Sequence, residues 1–168
     1  NGGLLRGKNG YGGEVAHVPI GDPSLKCPSC GSYGCIEAEL QLEHLLSFYP
    51  DFVESRPFYA QWTDFMDCIR KKQELFQPML KRSGYLLGCL GSILVNLFDP
   101  SLFIISGYMA DLFPFLEDHF MGQIEKRCSL SLARGLTFQA ENYHSGGIYE
   151  GICDTIYNEW SPLDKNNR

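Results

Sequence analysis

The sequence predicts an α/β fold in which helices pack against a small sheet. The continuous apolar run Leu102–Gly107 follows Asp99-Pro100 and is typical of a strand that is buried on both faces. A helical pattern over about 111–127 and an alternating pattern over 135–140 come next. Because parallel strands need a long connection, this order predicts a right-handed strand–helix–strand unit with parallel strands.

Helical patterns account for most of the rest of the chain. Apolar residues at helical spacing predict helices over about 36–47 and 59–76, with Pro78 as the end of the second or the start of a new turn. The apolar stretch Tyr85–Phe98 is too short for a bilayer span, which needs ~20 residues. Its glycines predict a buried helix packed closely against a sheet or another helix. A final helix is predicted over 148–160.

The chain is long enough to bury one core, and no repeat, low-complexity tract or linker divides it. We therefore expect a single domain over 1–168. Its regions would be a glycine-rich hairpin and cysteine loop over 1–35, a helical region over 36–98, and a βαβα segment over 99–168.

The glycine-rich start of the chain is expected to form turns and short strands. Leu4–Gly7 would be a strand after an Asn-Gly turn pair. Such a pair normally joins two strands, and the strand before it is missing. We therefore expect the chain to be a segment of a longer protein.

The charge of the chain argues against direct nucleic-acid binding. The formal net charge is -6, and the basic residues are dispersed except for Arg70-Lys71-Lys72, which would cap or solvate a helix face. A stand-alone zinc ribbon that binds nucleic acid would need basic and aromatic residues around its cysteines. Only Lys26 and Tyr33 are close to them in the sequence, so this function is disfavoured.

The strongest chemical signal is a group of three cysteines preceded by a histidine. Cys27, Cys30 and Cys35 lie in Cys-Pro-Ser-Cys-Gly-Ser-Tyr-Gly-Cys, and His17 stands ten residues before the first of them. Three thiols and one imidazole are the donor set of a closed tetrahedral zinc site. The glycines between the cysteines permit the tight turns that would bring the thiols together. We therefore predict a structural zinc ion.

A disulfide pair and simple buried thiols are the alternatives. The chain has seven cysteines, an odd number, so a disulfide framework is disfavoured. The other four are scattered in apolar surroundings and are expected to be small core residues: Cys68, Cys89, Cys128 and Cys153. The polar N-terminus shows no signal peptide, and a reducing cytoplasm is the expected location.

Three motifs occur in order along the chain. They are Gly-Glu-Val-Ala-His over 13–17, the cysteine group continued to Glu37, and the strand after Asp-Pro. This order resembles the ROK family (repressors, open reading frames and sugar kinases). Its members carry Gly-Glu-x-Gly-His, then Cys-x-Cys-Gly-x-x-Gly-Cys-x-Glu, then a strand after Asp-Pro. The resemblance covers nearly all of the chain.

The resemblance implies the C-terminal domain of an actin-like, ribonuclease-H-like ATPase fold, helix-rich with a mixed sheet and a zinc loop. It implies zinc ligation by His17, Cys27, Cys30 and Cys35. It also implies that Glu14, His17 and Glu37 face a sugar, where carboxylates would accept hydrogen bonds from hydroxyls and the zinc-bound imidazole would donate its other N–H.

The same residues also have simpler interpretations. Without the motif, Glu14 would be an ordinary surface carboxylate, and Glu37 would be a favourable charge at a helix start. Three further histidines lie outside any ligand spacing and are expected at the surface or in the core: His44, His119 and His144.

The sequence departs from the family pattern at three places. Two residues separate Cys27 from Cys30 where the family has one, so one thiol could lie outside the site. Ala16 replaces a glycine and disfavours a positive φ. Tyr108, after Ser-Gly, replaces a glycine where kinases of the family admit nucleotide, and its ring would crowd a phosphate.

Kinases of this family place a phosphate loop, Asp-x-Gly-x-Thr, and an Asn-Asp base upstream of the region matched here. This sequence contains neither, so the chain itself is not expected to catalyse phosphoryl transfer. ATP and Mg²⁺ would be cofactors only if the parent protein were a kinase. Tyr108 favours the other possibility, a sugar-responsive transcriptional regulator.

Partners follow from the same resemblance. A sugar or phosphosugar ligand and a homodimer are expected, while DNA would be bound only through a domain outside this chain. The aromatic-rich region from Phe48 to Phe65, which includes Trp62, could supply interface anchors, although core packing explains some of these side chains equally well.

Overall fold

A computed structural model describes residues 5–129 and 136–141 of the chain. A short 3₁₀ turn, Val15–His17, comes first. The helices and strands that follow are α1 (Glu37–Leu40), α2 (Leu42–Leu46), α3 (Phe58–Lys71), α4 (Gln73–Phe98), β1 (Leu102–Ser106), α5 (Tyr108–Arg127) and β2 (Thr137–Glu141). No helix in these two ranges is long and apolar enough to cross a bilayer.

The predicted order of strand, helix and strand and the parallel pairing of the two strands are confirmed. β1 and β2 pair in parallel, with Leu102 opposite Thr137 and Ser106 opposite Glu141, and α5 connects them. The prediction that β1 is buried on both faces is wrong for the described part of the chain. Ile105 is buried in the core, whereas Leu102 and Ile104 on the opposite face are 45% and 49% exposed. Alternate side chains of a strand point to opposite faces, so β1 presents one face to the core.

The core lies between the helices and the inner face of β1. Its most deeply buried side chains come from four helices: Leu46, Phe65, Ile69, Leu80, Leu112, Leu116 and Phe120. The glycines of α4 permit its close approach to α5, as the sequence predicts. A Cβ on Gly84 would lie 2.7 Å from the His119 Cβ, and one on Gly88 would lie 2.6 Å from the Phe120 carbonyl oxygen.

Several predicted helix boundaries are wrong. The helix predicted over 36–47 is broken at Gln41, whose backbone is extended at φ -65° and ψ 153°. The helix predicted over 59–76 ends at Lys71, because Lys72 leaves the helical region at φ -142° and ψ 48°. A new helix starts at once and continues to Phe98, so the predicted segment 85–98 is the second half of α4.

Pro78 lies inside α4 and neither ends nor starts a helix. It stands in the second turn, where its missing N–H removes a single backbone hydrogen bond, the one to the Glu74 carbonyl. The basic run that begins at Arg70 falls at the end of α3, as expected, where positive charge favours the helix dipole.

The expected N-terminal strand is absent over 5–7, and Leu4 lies outside the described residues. The chain turns there, and the Gly12 N–H donates to the Arg6 carbonyl at 2.9 Å. A Cβ on Gly12 would lie 2.6 Å from the Leu5 carbonyl oxygen, so this turn requires glycine. The predicted helix over 148–160 lies outside the described residues.

The aromatic-rich region divides between core and surface. Trp62 and Phe65 are buried in the core, and the indole N–H of Trp62 donates to the Asp111 carboxylate at 2.8 Å. Tyr59 and Phe48 are exposed. Trp62 is therefore a core residue in this chain, and Tyr59 and Phe48 remain as aromatic side chains that a partner could reach.

Candidate metal centre

The histidine and the three cysteines are carried by short turns before α1. His17 ends the 3₁₀ turn Val15–His17. The Cys27 N–H donates to the Ser32 carbonyl at 2.7 Å, and Gly31 and Gly34 take positive φ angles of 75° and 78°. Glycine adopts this backbone region at little cost, so the chain can reverse twice within a few residues.

A small apolar cluster fixes this ligand loop, residues 14–36, to α4. Ile36 at the end of the loop is buried with Leu86 and Leu90 of α4. Val15 and Val18 of the loop pack against the same cluster. The four predicted ligands therefore lie next to an apolar contact between the loop and α4.

The structure brings all four predicted ligands together. Their donor atoms all lie within 4.8 Å of one another. The His17 Nδ1 is 3.8 Å from the Cys27 Sγ, and the Cys30 and Cys35 Sγ atoms are 3.6 Å apart. In a tetrahedral site with Zn–S bonds of about 2.3 Å, neighbouring donors are separated by about 3.5–3.8 Å. The residues present therefore fit a zinc ion.

The extra residue between Cys27 and Cys30 does not separate their thiols. It is absorbed by the turn in which the Gly31 N–H donates to the Cys27 carbonyl at 3.0 Å. Cys27 and Cys35 are buried, while Cys30 lies at the surface. The cluster therefore sits at the edge of the molecule with one thiol toward solvent.

The protonation of the thiols depends on these surroundings. Burial raises the pKa of Cys35 to about 12, and its contacts with the other two thiols act in the same direction. Hydrogen bonds with the backbone and hydroxyl of Ser32 lower the pKa of Cys30 to about 7. A cation among the thiols stabilises thiolate and would favour deprotonation of the whole set.

Glu37, the first residue of α1, lies directly against this cluster. Its Oε2 is 3.2 Å from the His17 Nδ1 and 3.4 Å from the Cys27 Sγ, and its Oε1 accepts a hydrogen bond from the Ser29 hydroxyl. Glu14 is exposed at the start of the 3₁₀ turn that His17 ends. Two of the three residues predicted to face a sugar are thus in contact, and the third stands one turn away.

The substitution of alanine for the family glycine at position 16 is accommodated without strain. Ala16 lies in the 3₁₀ turn, and Asp99 is the one non-glycine residue with positive φ within 5–129 and 136–141. The remaining histidines stand apart from the cluster. His44 is half-buried with its ring edge-on to Phe48 at 5.5 Å, and His119 is half-buried on α5.

The other cysteines are core residues where the structure describes them. Cys89 and Cys128 are buried, and Cys68 is half-buried beside the core. Burial raises the pKa of Cys128. Cys153 and His144 lie outside the described residues.

One pair of residues beside this centre is not indicated by any sequence motif. The buried carboxylate of Glu39 accepts two hydrogen bonds from the Arg82 guanidinium, at 2.7 and 2.8 Å, and a third from the Asp22 N–H at 2.7 Å. Asp22 lies in the ligand loop between His17 and Cys27. The pair is 43 residues apart in sequence, so no local pattern could reveal it.

Comparison with known proteins identifies the family. The sequence model of the ROK family matches residues 1–147, most of the chain. The chain belongs to the ROK family. The resemblance drawn from the cysteine motif is confirmed, and the observed helices with a small parallel sheet are the ROK type of actin-like α/β fold.

Curated relatives of this ROK chain are named as repressors. The N-acetylglucosamine repressor of Escherichia coli O6:H1 is 28% identical over 117 residues, 66% of this chain and 29% of that protein. The xylose repressor of Bacillus spizizenii is 24% identical over 124 residues, 74% of this chain and 31% of that protein. A putative xylose repressor of Caldicellulosiruptor is 30% identical over 127 residues, 66% of this chain and 31% of that protein. The chain thus spans about 30% of their length.

A solved structure shows the same fold. The crystal structure of a ROK family transcriptional regulator, a homolog of the E. coli MLC protein, matches with a TM-score of 0.57 and 22% identity. The match covers 81% of this chain and 36% of that one.

Proposed function

We propose that this chain is the zinc-stabilised, sugar-responsive domain of a ROK-family transcriptional regulator. The observation that carries the proposal is the contact between Glu37 and His17 at 3.2 Å, next to the three thiols. It joins a prospective metal site and a prospective sugar-binding carboxylate in one structure. The repressor names of the curated relatives support the regulatory role.

The zinc ion would have a structural role. Four protein donors fill a tetrahedral shell and leave no position for a reacting water or substrate. When bound, the ion supplies a fixed charge that holds the thiolates and the imidazole in place. His17 and Cys35 would thereby be joined, and with them the 3₁₀ turn and the start of α1.

Sugar recognition would come from the residues around that centre. The carboxylates of Glu14 and Glu37 would accept hydrogen bonds from ring hydroxyls, and the second nitrogen of the His17 ring would donate one. Metal ligation at one ring nitrogen fixes the tautomer and direction of the other. The ligand is then a monosaccharide or a phosphosugar.

Tyr108 supports a regulator over a kinase. It begins α5 directly after Gly107, where nucleotide-binding members have glycine, and its ring lies 5.1 Å from that of Trp62. A bulky ring at this position reduces the space for a phosphate. The regulator would act as a homodimer, with DNA contacts outside this chain, in the reducing cytoplasm, where cysteines stay available as zinc ligands.

Glu37→Gln tests the sugar site. The substitution keeps the size of the side chain and removes its charge, so sugar affinity should fall at least about tenfold, because a hydrogen bond to a charged group contributes about 1.5–3 kcal/mol. The measurement is calorimetric titration of the whole encoded protein with a set of monosaccharides that includes N-acetylglucosamine and xylose. Zinc content should not change.

Glu43→Gln in α2 is the matched control, because Glu43 is exposed and lies outside the cluster. It should bind sugar with the wild-type affinity. Equal affinity of Glu37→Gln and wild type would remove Glu37 from the sugar site. A wild-type protein that binds none of the sugars would contradict the sensing role.

A further inference from the structure

We infer that Glu39 and Arg82 are a positioning pair that holds the ligand loop against α4 and so sets how tightly the loop retains its metal ion. The inference rests on the zinc site of the proposed function. Neither residue belongs to the set of four ligands, so their effect would be transmitted through the backbone of the loop.

Arg82 and Glu39 form a bidentate ion pair. The Nε and Nη2 of Arg82 donate to the two carboxylate oxygens of Glu39 at 2.7 and 2.8 Å. Such two-point contacts fix orientation as well as distance. The Glu39 side chain is about one-tenth exposed, whereas that of Arg82 is 43% exposed. The guanidinium therefore anchors a nearly buried carboxylate from the outer surface of α4.

The same carboxylate holds the loop on its other side. The Asp22 N–H donates to the Glu39 Oε1 at 2.7 Å. Gly21 is pressed against that oxygen so closely that a Cβ on it would lie 2.9 Å away. The Gly21 N–H donates to the Gly34 carbonyl at 2.9 Å, next to Cys35. Glu39 thus contacts the segment that leads from His17 to Cys27 and connects it to α4.

The contact between Glu39 and the loop depends on Arg82. Hydrogen bonds from Arg82 are the largest cause that holds the pKa of Glu39 below its ordinary value, against the effect of burial. The carboxyl of Asp22 accepts a hydrogen bond from the Ser24 hydroxyl at 2.7 Å, and as an acceptor it cannot replace the guanidinium donors. Without Arg82, a nearly buried carboxylate would keep one backbone donor, which is unfavourable. Glu39 would then turn outward and release Asp22.

The remainder of the loop would stay folded in that event. Ile36, Val15 and Val18 pack on α4 independently of the pair. The expected change is therefore a looser segment between His17 and Cys27, with the helical body intact. Groups bonded directly to metal ligands typically contribute about 10–100-fold to metal affinity, and a pair that acts through the loop backbone is expected to contribute no more than the lower end of that range.

The test compares zinc release from zinc-loaded Arg82→Gln, Arg82→Lys and wild-type protein into excess chromophoric chelator. We expect release about tenfold faster for Arg82→Gln, at the lower end of the range for partners of metal ligands. Arg82→Lys, which keeps the charge but not the two-point contact, should fall between the two. Hydrogen exchange at the Asp22 amide should accelerate in the same order.

Arg70→Gln is the control, because it makes the same substitution in an exposed ion pair, where Arg70 lies 2.7 Å from Asp67. The positioning role would be overturned if both Arg82 variants keep the wild-type circular dichroism and match this control in the rate of zinc release and in hydrogen exchange at the Asp22 amide. If Arg82→Gln fails to fold, Arg82→Lys decides the matter by the same two measurements. A wild-type protein without zinc would instead contradict the proposed metal site, and that result appears before any variant is compared.

Discussion

Cys35→Ser is expected to abolish zinc binding and to unfold the ligand loop. Cys35 is buried, its sulfur is 3.6 Å from that of Cys30, and it immediately precedes the Ile36 that packs on α4. Serine is not deprotonated at neutral pH and cannot replace a thiolate in a zinc site. Structural zinc contributes folding free energy directly, about 10–16 kcal/mol in zinc-finger peptides. The loss here should be largest in the loop, because the helices have a core of their own.

The measurement is zinc content by mass spectrometry together with thermal unfolding, with and without chelator. Wild-type protein should lose stability when chelator is added, whereas Cys35→Ser should already be at the lower value. Cys68→Ser is the control, since Cys68 is half-buried and outside the cluster. Retention of zinc and of chelator-sensitive stability by Cys35→Ser would contradict the ligand set.

Gly88→Ala is expected to have the second largest effect, through the contact between α4 and α5. The added Cβ would lie 2.6 Å from the Phe120 carbonyl oxygen and 2.7 Å from the Gln123 Cβ, so the helices must separate. Overpacking of this kind typically costs about 1–3 kcal/mol. Alanine is the better helix former by about 1 kcal/mol, and the net result should still be a loss of stability.

Gly122→Ala in α5 provides a matched control. A Cβ there has no neighbour within 4 Å, so the same substitution should leave stability unchanged or raise it by about 0.4–1 kcal/mol. Urea denaturation of both variants gives the two free energies of unfolding. A Gly88→Ala protein as stable as Gly122→Ala would show that the helices are not packed as described.

The local chemistry of the centre could be predicted from the sequence, but its connection to the body could not. Cys27, Cys30 and Cys35 are close in sequence, and the glycines among them indicate the turns that bring the thiols together. Glu39 and Arg82 meet only because α1 packs beside α4, and tertiary contact between distant residues leaves no periodic signal. The proximity of the predicted ligands could therefore be inferred from the sequence, and the contact between Glu39 and Arg82 could not.

Element order was also predictable, whereas the ends of helices were not. The apolar run of β1 and the helical pattern of α5 were strong enough to predict a parallel pair, which the register of β1 on β2 confirms. The helices break at Gln41 and Lys72 because of the backbone angles of these two residues, and neither is a residue type that indicates a turn. Pro78 was misleading because proline near a helix start costs a single hydrogen bond.

The metal content of the purified wild-type protein tests the central claim most directly. If His17, Cys27, Cys30 and Cys35 hold a structural ion, the protein should contain about one zinc per chain, and removal of that zinc should lower its thermal stability. Folded protein that contains no zinc, takes up none when zinc is supplied and keeps its stability in chelator would contradict the account.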